Sequence, residues 1–340
     1  MPNILEMPAA ASWVKSAISD CSCEVYGSIV PAVIWTNAND PSGSLIVPLE
    51  PNELSLRINN EPYIVLHDHD PGKPKGQVLK SAVFQNDRGT IFVAAIIGLY
   101  AEGNVKKFSE FELGLPATFS SPDSLPCLPE NAWIELALDP REVDSAWIAS
   151  VSSDAPLHIK HVELSHNAAE NTYELIHIGL SYLAIVWNPF VTTVATEAGK
   201  RTYNALHQWV HNFLGRLSER KNPIIDIASF QDGCQVSFLI RGKDTLQHYM
   251  AHDALSEAGV QAAQLISKLR ERGKPPTRLI YEWDKKYNKW YPSYALLNDR
   301  SIIVDQATLI ALEKLPTNLS LGIRKGENVE MIFDHENQSD

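Results

Sequence analysis

Residues 224–240 read IIDIASFQDGCQVSFLI, and this stretch decides how the C-terminal part of the chain folds. Two β-rich runs, Ile224–Ser229 and Gln235–Ile240, flank a turn that ends in Asp232-Gly233. Asp-Gly is a strong hairpin signal because glycine readily adopts the positive φ that a tight turn needs. The sequence therefore predicts an antiparallel strand pair here.

A helix and a second hairpin follow this pair. Apolar residues at helical spacing predict a helix over 244–272, and the Gly and Pro residues directly after it end the helix. Thr277–Trp283 and Trp290–Leu297 predict another hairpin. Short turns make each hairpin antiparallel, so we expect the helix to pack on one face of a mostly antiparallel sheet.

Two more helices are predicted upstream of the first hairpin. The first is predicted over Ala168–Trp187, with Ser165 or Asn167 as its N-cap and Glu170 in its first turn. A second helix over about Thr192–Arg220 carries apolar residues at helical spacing.

The N-terminal region is predicted to be mainly β. Val78–Phe84 and Thr90–Tyr100 flank a turn rich in Asn, Asp and Gly, which is typical of a hairpin, and 54–66 alternates loosely like a strand. Residues 116–130 contain four prolines and indicate a linker.

The predicted fold class is therefore α+β. A β-rich N-terminal region precedes long helices and a mostly antiparallel strand-strand-helix-strand-strand unit. We divide the chain into a β-rich domain over 1–150, a helical segment over 151–222 and a sheet-plus-helix domain over 223–333.

Composition limits the classes of partner and the compartment. With 29 Lys and Arg against 41 Asp and Glu, the net charge of −12 argues against nucleic acid and anionic lipid as partners. Four cysteines do not form a disulfide framework, and the first residues lack the basic and apolar regions of a secretory signal. These observations predict reduced thiols in a cytoplasmic protein.

Residues 175–196 form an uncharged, largely apolar stretch that is long enough to cross a bilayer. His177, Asn188 and Pro189 lie within it. Such polar and helix-breaking residues favour a kinked core helix, and membrane engagement is the alternative.

Paired histidines suggest a metal site. His207 and His211 lie four residues apart on one predicted helix, and His248 and His252 lie four apart on another. Residues four apart share a helix face, so each pair could bind one metal ion, with Asp244 or the adjacent Asp253 as a further ligand. If the helices faced each other, the pairs could form a dinuclear site; the alternative is that these histidines line the rim of the core.

Two further stretches carry candidate binding residues. In His67-Asp68-His69-Asp70, strand alternation would place His67 and His69 on one side and the two carboxylates on the other.

The second stretch is the 277–297 hairpin, which is rich in aromatic residues with lysines between them. Such rings could contact a partner protein or a small ligand, while cross-strand pairing of the rings is the alternative. The binding candidates are Tyr281, Trp283, Trp290 and Tyr291.

These features support three functional hypotheses. The first is a cytoplasmic, non-enzymatic interaction or regulatory protein that binds a partner protein or small molecule. The second is a metal-dependent hydrolase that uses the paired histidines, since a bound metal activates water. The third is membrane engagement through 175–196. We expect no cofactor other than a divalent metal.

Overall fold

A computed structural model describes most of the chain, and these residues form a mixed α+β fold, as predicted. Within the described residues there are seven α-helices and thirteen strands in two sheets. The described ranges are 4–21, 24–38, 50–61, 63–111, 132–139, 142–163, 173–180, 197–231 and 233–315.

The smaller sheet is antiparallel and has the strand order β1-β4-β3-β2. The hairpin predicted from the Asn-Asp-Gly turn is confirmed as β3–β4, in the centre of this sheet. In its turn, the Asn86 side chain accepts hydrogen bonds from two backbone N–H groups, and Gly89 has a φ of 82°. The strands are β1 (Ser28–Thr36), β2 (Tyr63–Leu66), β3 (Pro74–Gln85) and β4 (Ile91–Leu99).

Two helices, α1 (Pro8–Cys21) and α2 (Pro51–Asn60), cover the two faces of this sheet. The strand expected over 54–66 is therefore wrong in its first part. Glu50 caps α2 by accepting a hydrogen bond from the Glu53 N–H, and a proline in the first turn favours the helix.

The larger sheet has nine strands in the order β5-β13-β12-β11-β10-β9-β8-β6-β7. Both predicted C-terminal hairpins, β9–β10 and β11–β12, are present and antiparallel, while β10 and β11 lie parallel because helices connect them. The strands are β5 (Lys106–Lys107), β6 (Trp133–Leu138), β7 (His158–Glu163), β8 (Glu174–Leu180), β9 (Pro223–Gln231), β10 (Cys234–Arg241), β11 (Pro276–Asp284), β12 (Lys289–Leu297) and β13 (Ile302–Val304).

Helices pack on one face of this sheet around the largest apolar core. The helix predicted over 244–272 is two helices that meet at Ala254, and the helix predicted from Thr192 is described from Glu197 onward. The remaining helices among the described residues are α3 (Ser145–Ser152), α4 (Glu197–Gly215), α5 (Thr245–Asp253), α6 (Leu255–Glu271) and α7 (Gln306–Lys314).

The helix predicted over 168–187 is wrong where the structure describes it. Residues 174–180 form β8, which pairs with β6 and β9 in the middle of the sheet. Its side chains alternate, with Ile176 and Ile178 in the helix-side core and His177 on the opposite face. Residues 181–196 lie outside the described residues. Within the described part of the chain, no helix is both long and apolar enough to cross a bilayer.

The nine-stranded sheet takes strands from all three predicted regions, 1–150, 151–222 and 223–333. The division into domains at these boundaries stays a prediction.

Candidate metal centre

Two neighbouring helices, α4 and α5, bring the predicted histidines together. The ring centroids of His207 on α4 and His252 on α5 are 4.1 Å apart. Together with Asp253 they form a group in which one ligand atom from each residue lies within 4.8 Å of the others. One histidine from each predicted pair therefore contributes to a single candidate metal centre.

Local sequence explains why His252 and Asp253 lie at the end of α5. The Asp244 carboxylate caps α5 by accepting hydrogen bonds from the N–H groups of Leu246 and Gln247. The helix ends at Asp253, directly before the break at Ala254. That break leaves the Asp253 carboxylate at the surface, with 73% of its side chain exposed.

His252 lies at the buried end of the centre. Only 1% of the residue is exposed, and among the described residues neither ring nitrogen has a hydrogen-bond partner. Burial, followed by the nearby His207 and His211, lowers its pKa to about 3. The imidazole is therefore neutral at pH 7 and has an unshared electron pair on one ring nitrogen.

His207 links this buried end to the solvent. Its side chain is half-buried, and burial lowers its pKa below the ordinary value. Two neutral imidazoles and a carboxylate are ligands of the kind that hold zinc, and three protein ligands are typical of sites that keep one position for water.

His211 is close to the group but turned to a different partner. Its ring stacks on Tyr249 with centroids 4.0 Å apart and an interplanar angle of 3°. Its centroid is 5.8 Å from that of His252. The structure thus places His211 beside the centre and not within it.

His248 and Asp244, two of the predicted ligands, lie outside the group formed by His207, His252 and Asp253. The buried His248 ring has Nε2 2.8 Å from the Gly242 carbonyl oxygen and Nδ1 3.4 Å from that of Leu214. Burial lowers the pKa of His248. Both ring nitrogens therefore face backbone carbonyl groups, and Asp244 is occupied as the helix cap.

The aromatic hairpin is part of the core, and binding through its rings stays a prediction. Tyr281, Trp283 and Trp290 are buried. Trp283 and Trp290 lie opposite each other on β11 and β12 with ring centroids 5.4 Å apart, so the cross-strand alternative is the observed arrangement. Tyr291 is partly buried, and burial raises its pKa.

Trp283 and Trp290 hydrogen-bond to α5, the helix that carries two residues of the candidate centre. The Trp283 indole N–H donates to the Gln247 side chain, and that of Trp290 donates to the Ala251 carbonyl at 2.9 Å. Both acceptors lie on α5, and Ala251 precedes His252. The hairpin therefore fixes the helix that carries His252 and Asp253.

The His67–His69 segment is a short 3₁₀ turn, so the strand alternation predicted for His67 and His69 does not occur. Asp68 and His69 both have positive φ. The buried Asp70 carboxylate accepts two hydrogen bonds from the Arg241 guanidinium, at 2.7 and 2.8 Å, and so joins the loop to β10. Arg241 also lowers the Asp70 pKa against the effect of burial.

A histidine–carboxylate pair on the other face of the nine-stranded sheet was missed by sequence reasoning. His177 on β8 and Asp226 on β9 are register partners, and Nδ1 lies 2.9 Å from Oδ2. Burial opposes the charged imidazole, but the charge and hydrogen bond of Asp226, with the charge of Glu135, raise the His177 pKa above its ordinary value. No motif in the sequence signals this pair, because it depends on the register of two parallel strands.

The chain matches no protein-family model, no curated protein and no solved structure.

Proposed function

We propose that this protein is a metal-dependent hydrolase whose centre is formed by His207, His252 and Asp253. The observation that carries the proposal is the convergence of their ligand atoms within 4.8 Å of one another, from two different helices. A divalent metal of the zinc class suits two imidazoles and one carboxylate, and such a metal activates water for hydrolysis.

The burial of the three ligands favours a reactive centre. His252 is enclosed by protein, whereas Asp253 is exposed, so the centre is open on one side. Solvent and a small substrate reach it from that side. The buried His252 also has no competing hydrogen-bond partner among the described residues, which leaves a ring nitrogen free for a metal.

The other two hypotheses have less support. Partner binding through the 281–291 aromatic residues depended on exposed rings, and the two tryptophans are buried. Membrane engagement depended on a helix over 175–196, whose described residues form a strand. We place the hydrolase in the cytoplasm, since four cysteines in 340 residues do not form a disulfide framework.

Metal content tests the proposal. Untagged protein is purified without chelator and measured by elemental mass spectrometry, before and after loading with zinc, cobalt or manganese. We expect close to one metal per chain in the wild type and a loss of metal in His207→Ala and in His252→Ala. His158→Ala is the matched control, since His158 is exposed on β7.

Activity is measured on the same metal-loaded samples with p-nitrophenyl esters and phosphomonoesters as probes. We expect hydrolysis that a chelator removes and added metal restores. A wild-type protein without bound metal after loading would reject the proposal.

A further inference from the structure

The stacked pair of His211 and Tyr249 lies directly beside the proposed metal centre. The two rings are stacked and almost parallel, with an interplanar angle of 3° and centroids 4.0 Å apart. Tyr249 precedes His252 by one turn of α5, so the two side chains rise on the same side of that helix. The pair therefore borders the position that a metal would occupy.

His211 is near enough to become a ligand. Zn–N distances of about 2.1 Å place the centroids of two imidazoles on one tetrahedral metal roughly 5 Å apart. The observed separation of 5.8 Å between His211 and His252 is only slightly larger. A small rotation of the His211 side chain would bring it to the metal, yet it lies flat on Tyr249.

Gly215 gives Tyr249 the room to hold this position. A Cβ at Gly215 would lie 2.6 Å from the Tyr249 hydroxyl oxygen, which is too close. The backbone at Gly215 is helical, with a φ of −61° and a ψ of −34°, so alanine would be acceptable to the backbone itself. The glycine is thus explained by the space that the tyrosine needs.

We propose that Tyr249 positions His211 outside the coordination sphere, so that the centre keeps one position for water or a small anion. The inference rests on the proposed function and adds a specific residue to it. Three protein ligands leave a catalytic zinc site open, and a fourth would close it into a structural site. Tyr249 is therefore a positioning residue that keeps the centre reactive.

Cobalt replacement of the metal in the full-length protein tests this role. The visible bands of cobalt(II) shift when an imidazole replaces a water ligand, and azide binds only where a position is open. We expect azide to change the spectrum of the wild-type cobalt protein. His211→Ala should leave both the spectrum and the azide response unchanged.

Removal of the tyrosine ring should close the site. We expect Tyr249→Ala to shift the visible cobalt bands and to lose the azide response, because His211 turns to the metal and replaces the water. The double variant with His211→Ala should recover the wild-type behaviour. Tyr249→Phe keeps the stacked ring and serves as the matched control.

Two results would overturn the inference. One is a changed cobalt spectrum in His211→Ala alone, since His211 would then already be a ligand. The other is a Tyr249→Ala protein that keeps the wild-type spectrum and azide response.

If circular dichroism shows that Tyr249→Ala is unfolded, Gly215→Ala replaces it, because the added methyl group displaces the same tyrosine. An unchanged azide response in that variant would also overturn the inference. A wild type that binds no cobalt would reject the proposed function itself, so the two failures are distinguishable.

Discussion

His252 and His177 lie on opposite sides of the nine-stranded sheet, and their surroundings shift the imidazole pKa in opposite directions. His252, in the helix layer, has no hydrogen-bond partner among the described residues, and its pKa is lowered to about 3. His177, on the other face, lies 2.9 Å from the Asp226 carboxylate, and its pKa is raised. Burial without a partner favours the neutral imidazole, whose ring nitrogen can bind a ligand, whereas a neighbouring carboxylate favours the charged form.

The presence or absence of a hydrogen-bond partner distinguishes a stabilising contact from a candidate metal site. At His252 the unpartnered nitrogens are a cost to the folded state that a bound metal would remove. At His177 the hydrogen bond to Asp226 already satisfies Nδ1 and joins β8 to β9.

The largest expected effect follows from removing the carboxylate on the His177 side. Asp226→Ala leaves the partly buried His177 without its carboxylate partner, so we expect the free energy of unfolding to fall by about 3 kcal/mol, measured by urea denaturation. Asp226→Asn keeps an acceptor oxygen without the charge and should cost less. A double-mutant cycle with His177→Ala isolates the coupling, and a coupling near zero would contradict a stabilising pair.

The second prediction concerns His252→Leu. We expect metal affinity to fall by at least about 100-fold, which corresponds to about 2.7 kcal/mol, while the metal-free protein becomes slightly more stable because two buried unpartnered nitrogens are removed. His177→Leu is the matched control and should show the reverse pattern, with metal affinity retained and stability reduced. Calorimetric metal titration and urea denaturation separate the two readouts.

The third prediction is that His252 and His177 make the stability depend on pH with opposite signs. The folded-state pKa of His252 is below its unfolded value, so the unfolded chain binds more protons and the metal-free protein loses stability as pH falls below about 6.5. The expected slope from this residue is at most about 1.4 kcal/mol per pH unit. Urea denaturation at a series of pH values should show a smaller acid slope in His252→Leu.

His177 should behave in the opposite way. Because its folded-state pKa is raised, its contribution to stability is complete below the unfolded pKa and is lost as pH rises through the folded pKa. His177→Gln should therefore lose stability at pH 6 and little at a pH well above the folded value. A loss that is equal at both pH values would contradict the charged pair.

The sequence predicted the elements that depend on local signals. Asp232-Gly233 stands between β9 and β10 in the sequence, and both Gly233 and Gly89 of the β3–β4 turn have positive φ, so both hairpins follow from turn chemistry. The spacing of four residues also identified His207 and His252. It could not separate His252 from His248, because both lie on one face of α5 and only the folded structure turns His248 towards the Gly242 carbonyl.

Non-local features could not be predicted from the sequence. The run around β8 is apolar and uncharged, and a strand buried in the middle of a sheet has the same composition as a buried helix. The contact between His177 and Asp226 requires the parallel register of β8 and β9, which are separated by α4 in the chain. The stack of His211 on Tyr249 likewise depends on how α4 and α5 pack.

The smallest expected effect concerns the hydrogen bond between Trp290 and α5, the helix that carries His252. Trp290→Phe keeps an aromatic ring in the core but removes the hydrogen bond to the Ala251 carbonyl, so we expect a loss of about 1 kcal/mol in unfolding free energy. Because Ala251 is adjacent to His252, we also expect metal affinity to fall by roughly 10-fold, the lower end of effects from residues that orient a ligand. Tyr291→Phe, on the same strand but partly exposed, is the control and should leave metal affinity unchanged. If Trp290→Phe lowers stability without changing metal affinity, the tryptophan supports the core alone, and the helix holds His252 in place without help from the hairpin.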